Sequence, residues 1–180
     1  MDDFALTIRL ARPADAAEVA RVYIASWQDT YPSVLPHAFL CAMTLKGQTQ
    51  RWENTIKRRG PDLVLVAESS KHGVIGMASL GPARDRGLGL DGEVYTLYID
   101  PDFYGRGAGR ALLHGAFAAM REQQFHSCVI WAHARNNARF FYETMGGKLI
   151  AERVVHLMGE NMPEAAFGWR DLAPVKSTAR

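Results

Sequence analysis

The stretch DFYGRGAGRALL, residues 102–113, places glycine at positions 105, 107 and 109 and then runs directly into a strong helix former. Before it stands a β-rich run, EVYTLYIDP. After it, Leu112, Leu113, Ala116, Phe117 and Met120 fall at helical spacing. A further short apolar run, SCVIWAHA, follows as a buried strand. A strand–helix–strand unit over residues 93–132 implies a parallel pair, because the crossover helix returns the chain to the same sheet end. The glycines let the backbone adopt positive φ and let a ligand approach the main chain closely. The helix start adds free N–H groups and about half a positive charge, and Arg106 and Arg110 add more. The stretch is therefore either an anion cradle or a sharp glycine-capped turn.

Two phosphate-binding patterns fail on spacing. The Walker loop requires G-x-x-x-x-G-K-[ST], and no Lys-Ser/Thr pair follows these glycines. The dinucleotide fingerprint requires G-x-G-x-x-G in the first βα unit of a long alternating sheet. Here the pattern is G-x-G-x-G, past mid-chain, with too few βαβ units after it. What remains is a loop of successive N–H groups continued by a helix start, suited to a pyrophosphate.

The rest of the chain reads as β α α β β β α β α β β. FALTIRLA alternates at Phe4, Leu6, Ile8 and Leu10. Asp15 and Glu18 have capping-box spacing, and Val19, Val22, Tyr23 and Trp27 then share a helical face. Pro32 and Pro36 interrupt that helix. A second helix spans PHAFLCAMTLKGQTQRWENTIKRR, with a break expected around Gly47. DLVLVAES and GVIGMASLGP form a hairpin across SKHG. RGLGLDG precedes a strand, so it lacks a helix dipole and reads as a mobile loop. NARFFYETMGG is a short helix closed by glycine. KLIAERVVHLM and AAFGWRDL are strands joined by the turn-rich GENMP. Residues 1–172 suit one domain, with 173–180 as a frayed tail.

With 180 residues, 48% hydrophobic and 22% charged, the chain has globular composition. A net charge of +2 without a like-charge run excludes an obvious nucleic-acid or membrane surface. No long apolar run supports a membrane span or a signal peptide. Cys41 and Cys128 form no CxxC, which points to reduced cysteines and a cytoplasmic protein, with one chance disulfide as the alternative. His126 and Cys128 form H-x-C but no second ligand pair accompanies them, so no metal site is expected. His133 reads as polar packing, with a base near a strand end as the other option.

Two spaced motifs then act together. IDPDFYGRGAGRALL supplies Gly107 and Gly109 in a [QR]-x-x-G-x-[GA] pattern. Downstream, Ala138, Phe141, Tyr142, Glu143 and Gly146 supply A-x-x-F-Y-E-x-x-G. With IRLARPADAAEVARVYIASW at the N-terminus, nearly the whole chain resembles the GNAT superfamily of N-acetyltransferases, which use acetyl-CoA. Tyr104 departs from the pattern by standing where Gln or Arg is usual. Arg135 stands where Asn is usual, with Asn136 beside it.

The resemblance implies a mixed α/β fold: a mostly antiparallel sheet with one splayed parallel pair and helices on both faces. It implies that Tyr104, Gly105, Arg106, Gly107, Ala108, Gly109 and Arg110, with Asn136, hold CoA. It further implies that a bulged strand offers the backbone groups of Leu97, Tyr98 and Ile99 to the pantetheine arm, and an unpaired N–H to a developing oxyanion. Acetyl transfer to an amine also needs a base, since an alkylammonium with pKa about 10 is no nucleophile at neutral pH. It benefits from an acid for the departing thiolate. Tyr142 matches the family's acid near the CoA sulfur, and its phenol can donate a proton; packing on its helix is the alternative. Glu93 matches a common acidic position acting through water, and period-two alternation places it on one face with Tyr95 and Leu97. A solvated strand-end carboxylate is the alternative. Trp27 and Tyr31 sit where the family lines the acceptor site, and Trp169 and Glu93 are further substrate-side candidates, although core packing is ordinary for tryptophan. No metal is required. The implied partner is an amine on a small molecule or a peptide, and homodimers occur in the family. A non-catalytic acyl-CoA sensor or scaffold of the same fold is the competing function.

Overall fold

The structure, a computed structural model, describes residues 5–32, 35, 37–58, 60–157 and 159–172. Phe4, Pro36 and the tail 173–180 lie outside the described residues. The elements run β1 (Leu6–Leu10), α1 (Ala16–Thr30), α2 (His37–Ala42), α3 (Leu45–Lys57), β2 (Leu63–Ser69), β3 (Gly73–Pro82), β4 (Gly92–Ile99), α4 (Ala108–Glu122), β5 (Cys128–His133), α5 (Ala138–Thr144), β6 (Lys148–Leu157) and β7 (Glu160–Trp169). The strands form one seven-stranded sheet in the order β1-β2-β3-β4-β5-β7-β6. Every neighbouring pair is antiparallel except β4 and β5. That exception is the parallel pair forced by the crossover through α4.

Apolar periodicity builds a layer on each face. Leu112, Leu113, Ala116, Phe117 and Met120 of α4 pack with Leu65, Ile75, Val94, Ile130 and Phe167. On the opposite face, Val19, Val22 and Tyr23 of α1 and Trp52 of α3 pack on Val64, Val66, Val74 and Met77. The sheet is thus sealed on both faces, as strands buried on two sides require.

Three local expectations change. Asp15 does not cap α1 with Glu18. Its carboxylate turns back to accept the Arg12 N–H at 2.6 Å and pairs with Arg9 at 2.7 Å. Glu18 instead lies against the β2–β3 turn at Gly73. The long second helix breaks at Met43–Thr44 rather than at Gly47. Thr44 is extended, and its Oγ1 accepts the Gly47 N–H at 3.2 Å, so Gly47 lies in the first turn of α3. The segment after Gly159 is strand, because β7 already begins at Glu160 and pairs back to Leu157. The reversal uses Gly159 at φ 82°. Cys41 is exposed, Cys128 is buried, and both are free thiols.

Candidate active site

The parallel pair opens into a gap. β4 and β5 pair only at Gly92–Cys128, Glu93–Val129 and Val94–Ile130. On its other edge, β4 carries a bulge. Ser79 faces Thr96 and Leu80 faces Val94, which leaves Tyr95 as the extra residue. The bulge resets the alternation. Val94 and Leu97 both reach the core under α4, whereas Tyr98 packs on the α1 side. The expectation that Glu93, Tyr95 and Leu97 share one face is therefore corrected. Arg84 bonds Glu93 and covers the Tyr95 ring at 4.6 Å, while Leu97 points to the opposite face.

Backbone register decides which groups enter the gap. The Asp100 N–H bonds the Ile75 carbonyl at 2.8 Å. By antiparallel alternation, Tyr98 then exchanges its backbone bonds with β3, and the peptide groups of Leu97 and Ile99 face β5. The Ile99 carbonyl accepts Ser26 Oγ at 2.8 Å. Of the three expected residues, Leu97 and Ile99 thus present backbone to the gap, and Tyr98 contributes its ring.

The glycine loop follows at the end of β4. Asp100 Oδ1 accepts the Asp102 N–H at 3.1 Å, and Asp100 Oδ2 pairs with Arg21 of α1. Gly105 and Gly107 take φ 75° and 84°, and a Cβ on either would meet open space. Their requirement is conformational, not steric. Gly109 has no positive φ; a Cβ there would touch Phe141 at 3.6 Å. The Ala111 N–H bonds the Gly107 carbonyl at 3.0 Å. The N–H groups of Ala108, Gly109 and Arg110 precede the first intrahelical donor, the Ala111 N–H, and project from the positive end of α4. Arg106 lies over the Phe103 ring at 5.7 Å. Tyr104 Oη donates to Asp29 Oδ2 at 3.2 Å. Burial and the Asp29 charge push this phenol up to about 12.

Aromatic side chains converge around the gap. Tyr142 is 5% exposed and packs near Phe141, Phe167 and Trp169. Burial pushes its phenol upward, and nearby Tyr31 and Cys128 add to the shift. Tyr31 lies 4.9 Å from the Trp27 ring and 6.4 Å from the His133 ring, centroid to centroid. Burial raises its phenol, opposed by hydrogen bonds with the Tyr98 and Asn136 side chains. Burial also raises Tyr98, followed by the influence of Tyr31, Tyr23 and Tyr142. Asn136 Oδ1 accepts the Ala138 N–H at 2.9 Å, so it organises the start of α5 as well as touching Tyr31. Arg135 contributes its N–H to His133 Nδ1 at 3.1 Å.

These features coincide with what comparison finds. The chain matches the family model described as Acetyltransferase (GNAT) family over residues 19–146, which includes most of α1, the bulged strand, the glycine loop and Tyr142. The chain belongs to the GNAT acetyltransferase family. It is 32% identical over 172 residues to the uncharacterized N-acetyltransferase YuaI of Bacillus subtilis, covering 96% of this chain and 97% of that one. Its fold is shared by yncA of Salmonella typhimurium, a putative acetyltransferase solved with acetyl-CoA, at TM-score 0.70 and 22% identity, over 96% and 97% of the two chains. The PaiA N-acetyltransferase of Thermoplasma acidophilum, solved with coenzyme A, gives TM-score 0.68 and 21% identity, over 89% and 98%. The chain is an acyltransferase.

This acetyltransferase has the parts that a CoA molecule needs. The open space over Gly105 and Gly107, the unpaired N–H groups at the start of α4 and the free edge of β4 fit a pyrophosphate and an extended pantetheine arm. Among the described residues, no group of three or more His, Cys, Asp or Glu side chains could hold a metal ion. No helix among them is long and apolar enough to cross a membrane.

Burial decides between the readings at two candidates. Glu93 is not a solvated strand-end carboxylate. It is 1% exposed, Oε2 accepts the Arg84 N–H at 2.9 Å, and Oε1 accepts Arg84 Nε at 3.0 Å and pairs with Nη2. It borders a cavity of roughly 370 Å³ lined by Arg84, Asp85, Glu93, Trp131 and Arg153. Trp169 is a packing residue. It lies between Phe117 and Tyr142, would collide with a Cβ at Gly147, and donates Nε1–H to the Met145 carbonyl at 2.9 Å. The glycine-rich loop before β4 is also built in. Asp85 caps its turn, Leu90 packs on Val129 and Ala166, and Asp91 accepts the His126 and Ser127 N–H groups. Sequence reasoning missed Arg84, Trp131 and Arg153, which carry no motif spacing. The Tyr98 ring was missed because the bulge that turns it is invisible to alternation.

Proposed function

We propose that this acetyltransferase transfers the acetyl group of acetyl-CoA to a primary amine by direct attack within a ternary complex. The observation that carries this is the gap beyond Val94, into which the Leu97 backbone faces on the strand that leads to the start of α4, with the buried Tyr142 phenol close enough to the Tyr98 phenol to raise it. Acetyl-CoA supplies a thioester carbonyl, whose C–S bond breaks as the amine nitrogen forms the new C–N bond. The helix start and the backbone of Gly105, Gly107, Ala108, Gly109 and Arg110 hold the pyrophosphate, with Arg106 adding charge. The Leu97 N–H donates to the negative charge that develops on the carbonyl oxygen.

Tyr142 gives its proton to the departing sulfur and regains one from solvent. Its raised phenol keeps that proton at neutral pH. Glu93 takes the amine proton through a water. Three Arg84 donors occupy a carboxylate with about four acceptor positions, which leaves room for that water. Trp27 and Tyr31 border the acceptor side. The free thiols suit a reducing compartment, and we place the protein in the cytoplasm on that ground.

Initial rates of thiol release, with acetyl-CoA and an amine varied together, test this reading. Intersecting double-reciprocal lines are expected. Parallel lines would reveal an acylated enzyme and overturn direct attack.

A further inference from the structure

The cavity beside Glu93 lies on the sheet face opposite α4. Glu93 is in register with Val129, and Val129 and Trp131 belong to the apolar group on that face, whereas Cys128 and Ile130 pack toward α4. It adjoins the point where β4 and β5 separate. A molecule in it would meet the gap from the side away from the helix start that holds CoA. Its lining is Arg84, Asp85, Glu93, Trp131 and Arg153, two guanidiniums against two carboxylates. It is not an acidic cleft, and so it lacks the surplus negative charge that a polyamine would need.

The unspent groups are mostly donors. Arg84 uses Nε and Nη2 on Glu93, and Arg153 uses Nε and Nη2 on Glu164, each at 2.8 Å. Nη1 of each guanidinium lies outside those pairs. Arg153 is stacked on Trp131, with Cζ 3.7 Å from the ring centroid, so its position is set by the indole. Trp131 Nε1 is buried with no hydrogen-bond partner. An indole N–H can only donate, as can a guanidinium, and a buried donor without an acceptor is costly. Asp85 commits Oδ1 to the Gly87 N–H, at 2.9 Å. The cavity therefore offers donors on the β5–β6 side and carboxylates on the β4 side.

We propose that the acceptor carries a carboxylate beside its primary amine, with Arg153 and Trp131 on the β5–β6 side receiving the carboxylate and the amine directed toward Glu93 on the β4 side. This rests on the amine-acceptor reading above. It makes the substrate an amino-acid-like zwitterion, which the balanced cavity neutralises at both ends.

The test is an acceptor panel in the thiol-release assay. Each common amino acid is compared with its carboxamide and its decarboxylated amine, and spermidine is included. At least one free acid should exceed its amide and its decarboxylated counterpart by tenfold or more in kcat/KM. Arg153→Gln should erase most of that preference through KM, while acetyl-CoA affinity by calorimetry and the melting temperature stay near wild type. Arg153→Lys should restore part of it. If spermidine or the decarboxylated amines are the better acceptors, or if the acid preference survives Arg153→Gln, the inference is overturned and the amine-acceptor reading stands. If no amine accelerates thiol release although acetyl-CoA binds, both fall together.

Discussion

Tyr104 Oη of the glycine loop donates to Asp29 Oδ2 of α1 at 3.2 Å. It stands where the family pattern usually has Gln or Arg, and the bond supplies a role for it. The same helix pairs Arg21 with Asp100 and donates Ser26 Oγ to the Ile99 carbonyl. α1 therefore fastens the whole segment from the end of β4 to the glycines. Trp27 and Tyr31, on the proposed acceptor side, belong to that helix or its cap, so in that reading the two substrate sites share one support. Tyr104→Phe should weaken acetyl-CoA binding by about fivefold, the effect of one hydrogen bond of about 1 kcal/mol. kcat should be little changed. Calorimetric titration checks this, and an unchanged dissociation constant would leave the loop independent of Asp29.

Gly107→Val places a β-branched residue at φ 84°. The space is open, so the cost is backbone strain of about 1–3 kcal/mol. The loop should rearrange and acetyl-CoA affinity fall by more than about tenfold, with the circular dichroism spectrum retained. Unaltered affinity would remove Gly107 from the cradle.

Tyr142→Phe removes a buried phenol but keeps the ring against Phe167 and Trp169. Turnover should fall by about 100-fold, the low end of general acid catalysis, with acetyl-CoA affinity intact. Because the phenol is raised, the wild-type rate should show no loss from Tyr142 ionisation up to pH about 10. Full activity in the variant would return Tyr142 to a packing role.

Glu93→Gln keeps shape and removes charge beside Arg84. kcat should drop by about 100-fold and the pH–rate profile should change form. A profile identical to wild type would place the base elsewhere.

His133 is buried, and burial lowers its pKa, with Arg135 adding to the shift and Glu164 opposing it. The folded protein therefore binds this proton less readily than the unfolded chain. Stability should be complete above about pH 6.5, the ordinary histidine value, and decline as pH falls below it. His133→Gln should flatten the fall of the melting temperature below about pH 6.5. An unchanged acid limb would show that other groups carry it.

Much of the fold was legible because its signals are local. The strand, glycines and helix over residues 93–122 state their own order, and the crossover length forces β4 and β5 to be parallel. The Thr44 cap was harder to see, because Gly47, three residues on, looked like the breaker. Asp15 had capping spacing to Glu18, but Arg9 offered a stronger charged partner.

The site divided along the same line. The sequence by itself determined that the backbone turns at the glycines of positions 105, 107 and 109 and that a helix start follows; the structure gives positive φ to Gly105 and Gly107. Glycine adopts that conformation at no steric cost, so its placement is a local signal. Only the tertiary structure decided what faces the gap. One extra residue at Tyr95 reversed the direction of Leu97, and burial turned Glu93 into an ion-paired group at a cavity wall. Arg84, Trp131 and Arg153 come from separate strands and loops, and no spacing in the chain records their meeting. Side-chain neighbours across a sheet are set by register and bulges, which depend on every strand at once.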